Sequence, residues 1–135
     1  MKSKLILICT IGVIVLCFGL VGCSSGPMEV AVDGSYSGKT IDLGVGGVLL
    51  VTLDSNATTG FEWELTKNSN KGVLETVGNK YEAPKETGMV GAPGKEVWNF
   101  NGLTKGKSTI TMEYSQPWDG GTKAAEAFTL TVNVK

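Results

Sequence analysis

From residue 28 to the C-terminus, apolar and polar side chains alternate singly rather than recurring at helical spacing. The last segment is the plainest. Phe128, Leu130, Val132 and Val134 interleave with Thr129, Thr131 and Asn133, and because successive side chains of an extended chain point to opposite sides, this predicts a strand with one buried face. The same period sets Ile110, Met112 and Tyr114 against Thr109, Thr111 and Glu113, Trp98 and Phe100 against Asn99 and Asn101, and Phe61, Trp63 and Leu65 against Glu62, Glu64 and Thr66. Residues 48–53 form a more continuous apolar run, the pattern of a strand covered on both sides. Segments 28–32, 40–43 and 74–81 complete a set of seven to eight strands, and no stretch shows an amphipathic helical period. The predicted fold class is all-β, a two-sheet antiparallel sandwich.

In a chain that runs up and down, successive connections fall at alternate ends. The segments at 44–47, 68–73 and 104–107 therefore share one end, where they read as plain lysine- or glycine-rich turns. Those at 54–60, 83–95 and 115–125 share the other. They are longer and contain Thr58-Thr59-Gly60, Gly91-Ala92-Pro93-Gly94 and Pro117-Trp118-Asp119-Gly120-Gly121. Three such loops on a rigid sandwich suggest a recognition surface, and Trp118, in a turn between proline and glycine, has no evident core to fill.

Composition narrows the chemistry. The chain of 135 residues has no histidine, and its three cysteines, Cys9, Cys17 and Cys23, all lie near the N-terminus. Ser-His-Asp and Cys-His catalytic sets and the usual zinc sites are thereby excluded from the predicted sandwich. Asp33, Asp42 and Asp54 lack calcium-loop spacing, so neither metal nor cofactor is expected. The N-terminus reads as targeting sequence, with Lys2 and Lys4 preceding an uncharged apolar run over residues 5–21. It ends in Leu20-Val21-Gly22-Cys23, which resembles the lipobox of prokaryotic lipoproteins. That resemblance implies a signal peptide at 1–22, a lipid-modified Cys23, a short flexible tether at 23–27 and a domain at 28–135. The domain would face outside the cytoplasm, extracellular or periplasmic, and touch the membrane through the lipid only. An uncleaved anchor is the alternative, although the run is short of the roughly 20 residues a spanning helix prefers. Loss of the signal removes two lysines and leaves ten against 13 acids, a net of −3, which speaks against a nucleic-acid partner. A monomer is expected.

Three motifs resemble one known family, the chagasin-type inhibitors of cysteine peptidases. Asn56-Ala57-Thr58-Thr59-Gly60-Phe61-Glu62-Trp63 is similar to the family's first loop, with Ala57 in place of a proline. The glycine-rich segment 88–94, ahead of Glu96-Val97-Trp98-Asn99-Phe100, is similar to the second. Gln116-Pro117-Trp118 resembles the third, with Gln116 where the family has arginine. The resemblance implies an immunoglobulin-like sandwich that reversibly inhibits papain-like cysteine peptidases by filling the active-site cleft. The contacts would come from Asn56, Thr58, Thr59, Gly60 and Phe61, from Gly91, Ala92, Pro93 and Gly94, and from Gln116, Pro117 and Trp118. Thr58 would lie nearest the catalytic centre, and the chain would not be an enzyme.

Other readings of these residues are simpler. Trp63 and Trp98 are in phase with core positions and read as packing residues. Glu62 and Glu64 share a strand face and invite a paired-carboxylate glycosidase reading, but alternating solvent-facing acids are far commoner. Gly44-Val45-Gly46-Gly47 precedes a strand rather than a helix, which removes the context of a phosphate loop. A surface adhesion or carbohydrate-binding sandwich is the alternative function. Trp118 suits both functions, whereas Thr58-Thr59-Gly60 suits a narrow cleft better than sugar stacking.

Overall fold

In a computed structural model, which describes residues 25–85 and 92–135, the single alternation of the sequence becomes eight strands: β1 (Glu29–Asp33), β2 (Lys39–Leu43), β3 (Val48–Ser55), β4 (Glu62–Asn68), β5 (Leu74–Glu82), β6 (Gly94–Gly102), β7 (Gly106–Ser115) and β8 (Glu126–Val134). The expected signal segment, Cys23 and Gly91 lie outside the described residues. The strands form two four-stranded sheets, ordered β1-β3-β6-β5 and β2-β8-β7-β4. Their inward faces close a core that includes Leu49, Val51, Phe100, Ile110, Met112, Phe128, Leu130 and Val132. Burial of each such side chain contributes about 1.5–3 kcal/mol.

The strands alternate in direction along the chain, but two of the pairings are parallel. β1 runs beside β3 and β2 beside β8 in the same direction. The expectation of a wholly antiparallel sandwich is corrected at these two edges. β2 belongs to the opposite sheet, so the chain crosses over and returns before β3 pairs with β1, and two reversals restore the direction. The continuous apolar run of β3 is also not covered on both faces. Leu49, Val51 and Leu53 are buried, whereas Val48, Leu50 and Thr52 on the outer face are half-buried, shaded by neighbouring β1 and β6.

One end of the sandwich is closed by the turns before β3, β5 and β7. Here Gly44 donates its amide to the Pro27 carbonyl (2.7 Å), Gly46 donates to Gly102 (2.8 Å) and Val45 donates to Lys135 (3.0 Å). Any Cβ on Gly26 would press on the Leu43 and Gly44 backbone. Residues 26 and 27, expected in a flexible tether, are therefore fixed to this end. The opposite end carries the three longer connections, as the alternation of direction requires.

Candidate functional site

The first connection starts from a pair of facing residues, Ser55 on β3 and Gly94 on β6. It then tightens into a single 3-10 turn over Ala57–Thr59. Asn56 caps it, its side-chain oxygen accepting from the Thr58 amide (3.1 Å) and hydroxyl (2.6 Å), while the Thr59 hydroxyl donates to the Asn56 carbonyl (2.7 Å). Asx capping of this kind satisfies amides that would otherwise be orphaned. Gly60 ends the turn at φ 74°, a left-handed conformation natural to glycine. Ala57, Thr58 and Thr59 are exposed, whereas Asn56 is half-buried and supports the turn from beneath.

Tyr114 of β7 underpins this loop. Its hydroxyl accepts from the Asn56 amide at 2.8 Å, and its ring lies between Phe61 and Trp63, with centroids 5.2 and 5.1 Å away. Phe61 is thus half-buried and stacked rather than displayed. Trp63 is anchored again where its indole N–H donates to the Asp54 carbonyl at 2.9 Å.

The third connection folds onto the first. The Trp118 ring lies over Gly60 so closely that any Cβ there would overlap it, yet Trp118 stays 50% exposed. The Gln116 side-chain Nε2 donates to the Thr59 carbonyl (3.2 Å) and its side-chain oxygen accepts from the Thr122 backbone amide (2.9 Å). Lys123 gathers the loop inward, its ammonium donating to the carbonyls of Gln116 (2.5 Å) and Trp118 (3.2 Å). Gln116, in the arginine position of the resemblance, therefore acts as a brace between two loops.

In the second connection, Ala92 is half-buried and Pro93 exposed. Gly94, expected on the loop, is buried as the first residue of β6, where a Cβ would meet the Glu82 carbonyl and the Tyr81 hydroxyl. Below it Glu96 is only 5% exposed, its Oε1 accepting from the Ser55 hydroxyl (2.8 Å) and the Trp63 amide (3.1 Å). Sequence reading passed over Tyr114, Lys123 and Glu96 as site residues. For Glu96 a signal existed, since it is in phase with Trp98 and Phe100. The alternation marks Tyr114 only as a core position, and nothing local marks Lys123.

The end surface is therefore a rigid ridge: an exposed Thr58-Thr59 tip, a half-exposed indole beside it, and internal hydrogen bonds already made. It holds neither thiol nor imidazole. Such a ridge can fill a groove and offer hydrogen bonds.

The sequence matches the Chagasin family peptidase inhibitor I42 over residues 42–132. It is 33% identical over 106 residues to chagasin of Trypanosoma cruzi, covering 76% of this chain and 96% of that protein. The fold is similar to the crystal structure of the cysteine protease inhibitor EhICP2 from Entamoeba histolytica, with a TM-score of 0.70 and 22% identity over 82% of this chain and 100% of the other. It is also similar to PbICP-C in complex with falcipain-2, with a TM-score of 0.53 and 21% identity over 83% and 93% of the two chains.

Proposed function

The chain belongs to the chagasin family of peptidase inhibitors, which makes it a cysteine peptidase inhibitor rather than an enzyme, and from that premise we propose that it blocks the clefts of papain-like peptidases reversibly, as a monomer, with the three loops described above. The observation that carries this reading is the union of the first and third loops, with Trp118 over Gly60 and Gln116 bonded to Thr59. A wedge ordered before binding loses little further conformational entropy in a cleft. Thr58 and Thr59 supply the tip, Trp118 supplies an apolar wall contact, and Ala92 and Pro93 belong to the other wall.

The test is inhibition of papain by the chain lacking residues 1–23. Papain is expected to be inhibited reversibly and trypsin hardly at all; rapid cleavage of the domain by papain, or equal potency toward trypsin, would overturn the proposal. Within this assay Trp118→Ala is expected to weaken inhibition roughly 30- to 1,000-fold, about 2–4 kcal/mol, the usual range for a tryptophan anchor. Its melting temperature should stay near that of the parent, because half of the indole is in solvent. Lys105→Ala, at the opposite end, should change neither quantity.

The lipobox resemblance supports the further reading that Cys23 carries a lipid, so that the domain acts outside the cytoplasm at a membrane surface. In a competent host the protein is expected to partition into detergent without residues 1–22, and Cys23→Ala to remain uncleaved. Mass spectrometry of the mature N-terminus decides this, and an unmodified Cys23 would end the idea.

A further inference from the structure

Beside the inhibitory loops, between the free edges of the two sheets formed by β4 and β5, lies a cleft of about 580 Å³ that is also lined by Ala57 and Gly60 of the first loop and Pro117 of the third. Its walls include Trp63, Trp98 and Tyr81, and its acids are Glu62, Glu64 and Glu96, with no basic residue among the described residues that line it. Glu62 and Glu64 are exposed at the mouth, and Glu96 is more than nine-tenths buried. The Oε1 atom of Glu96 is occupied by Ser55 and Trp63, but among the described residues its Oε2 and the indole nitrogen of Trp98 have no hydrogen-bond partner. A buried carboxylate is costly unless it is paired, and its orphaned oxygen asks for a donor, preferably a charged one.

We propose that this cleft is a binding site for an organic cation, an alkylammonium or guanidinium group that donates to Glu96 Oε2 and lies against the aromatic walls. Three features select that chemistry. The acids give the cleft a negative field with no internal counter-charge. The faces of tryptophan and tyrosine attract a desolvated cation. A single buried carboxylate offers too few oxygens for a bare calcium ion, which takes six to eight. Glu96 and Trp98 are two residues apart on β6, so their orphaned atoms belong to the same face of one strand. The cation can come from a free amine or from a lysine or arginine side chain of a bound peptidase. The site itself stands independently of the inhibitory reading.

The experiment uses the full-length protein, labelled with nitrogen-15 in detergent micelles, and follows the indole N–H resonance of Trp98, assigned by its loss in Trp98→Phe. Titration with butylammonium chloride is expected to shift this resonance saturably, with sodium chloride at matched ionic strength as the control. Glu96→Gln, which keeps an oxygen for Ser55 and the Trp63 amide, should weaken binding at least tenfold. A shift no larger than that caused by sodium chloride, or equal affinity in Glu96→Gln, would overturn the proposal. Where that variant melts too early to measure, Tyr81→Leu at the exposed rim takes its place; a several-fold loss supports the site and unchanged affinity overturns it. Once binding is established, papain inhibition at saturating butylammonium assigns the source. A higher inhibition constant identifies a basic side chain of the peptidase, and an unchanged constant a free amine, each compatible only with an occupied site.

Discussion

Thr58→Arg is expected to abolish inhibition of papain, raising the inhibition constant more than about 1,000-fold, which corresponds to about 4 kcal/mol or more. Thr58 is exposed in the middle of the 3-10 turn, and its backbone amide bond to Asn56 does not depend on the side chain. Arginine would therefore keep the turn and lose only the hydroxyl bond to Asn56, about 1 kcal/mol. At the tip of a rigid wedge, however, the longer side chain has to be accommodated by a cleft shaped for threonine, and its charge must be desolvated without a partner. Thr58→Ala isolates the hydroxyl and should cost about fivefold in affinity. Thermal melts and inhibition constants on both variants check the expectation. An arginine variant that inhibits within tenfold of the parent would place the tip elsewhere.

Phe100→Ala should have the opposite profile. Phe100 is fully buried in β6, paired with Leu49 on one side and Thr76 on the other. Truncation removes apolar surface and leaves a cavity that eight interlocked strands cannot collapse around, for a cost of about 3–5 kcal/mol. For a domain of this size the melting temperature should fall by at least about 10 °C. Inhibition per folded molecule should be unchanged, because Phe100 lies on the core side of the strand. Val77→Ala, at a position 57% exposed, is the matched control and should change stability by less than about 0.5 kcal/mol. Equal destabilisation by the two would mean that the core is not where the burial pattern puts it.

The strands were legible because their information is local. Phe128 to Val134 announces its buried face by alternation alone, and counting reversals is enough to gather 54–60, 83–95 and 115–125 at one end. The parallel pairing of β1 with β3 was not legible, because it depends on which sheet the intervening β2 joins, and that is decided by long-range packing. The same limit applies to the site. Thr58 and Gly60 stand out as turn chemistry, but the contact of Gly60 with Trp118 spans 58 residues of sequence, and the bond from the Asn56 amide to Tyr114 also spans 58. Glu96 shows a different failure. It is in phase with the inward-facing Trp98 and Phe100, a position where a charged side chain is seldom buried. Phase prevailed because Ser55 and the Trp63 amide supply hydrogen bonds that keep the carboxylate inside.

The fixing of Gly26 and Pro27 against the Leu43–Gly44 backbone also orients the molecule. Cys23 precedes Ser25 by only two residues in the sequence. With the proposed lipid there, the bilayer adjoins the end of the sandwich that holds the turns. The three longer loops stand at the far end of strands up to 10 residues long, about 30 Å further out at about 3.3 Å per residue. On that proposal the protein would stand as a short post with its working tip directed away from the membrane that holds it. So anchored, it would meet a peptidase that arrives by diffusion with its tip, whereas a peptidase held flat on the same membrane would meet the shaft of the post first.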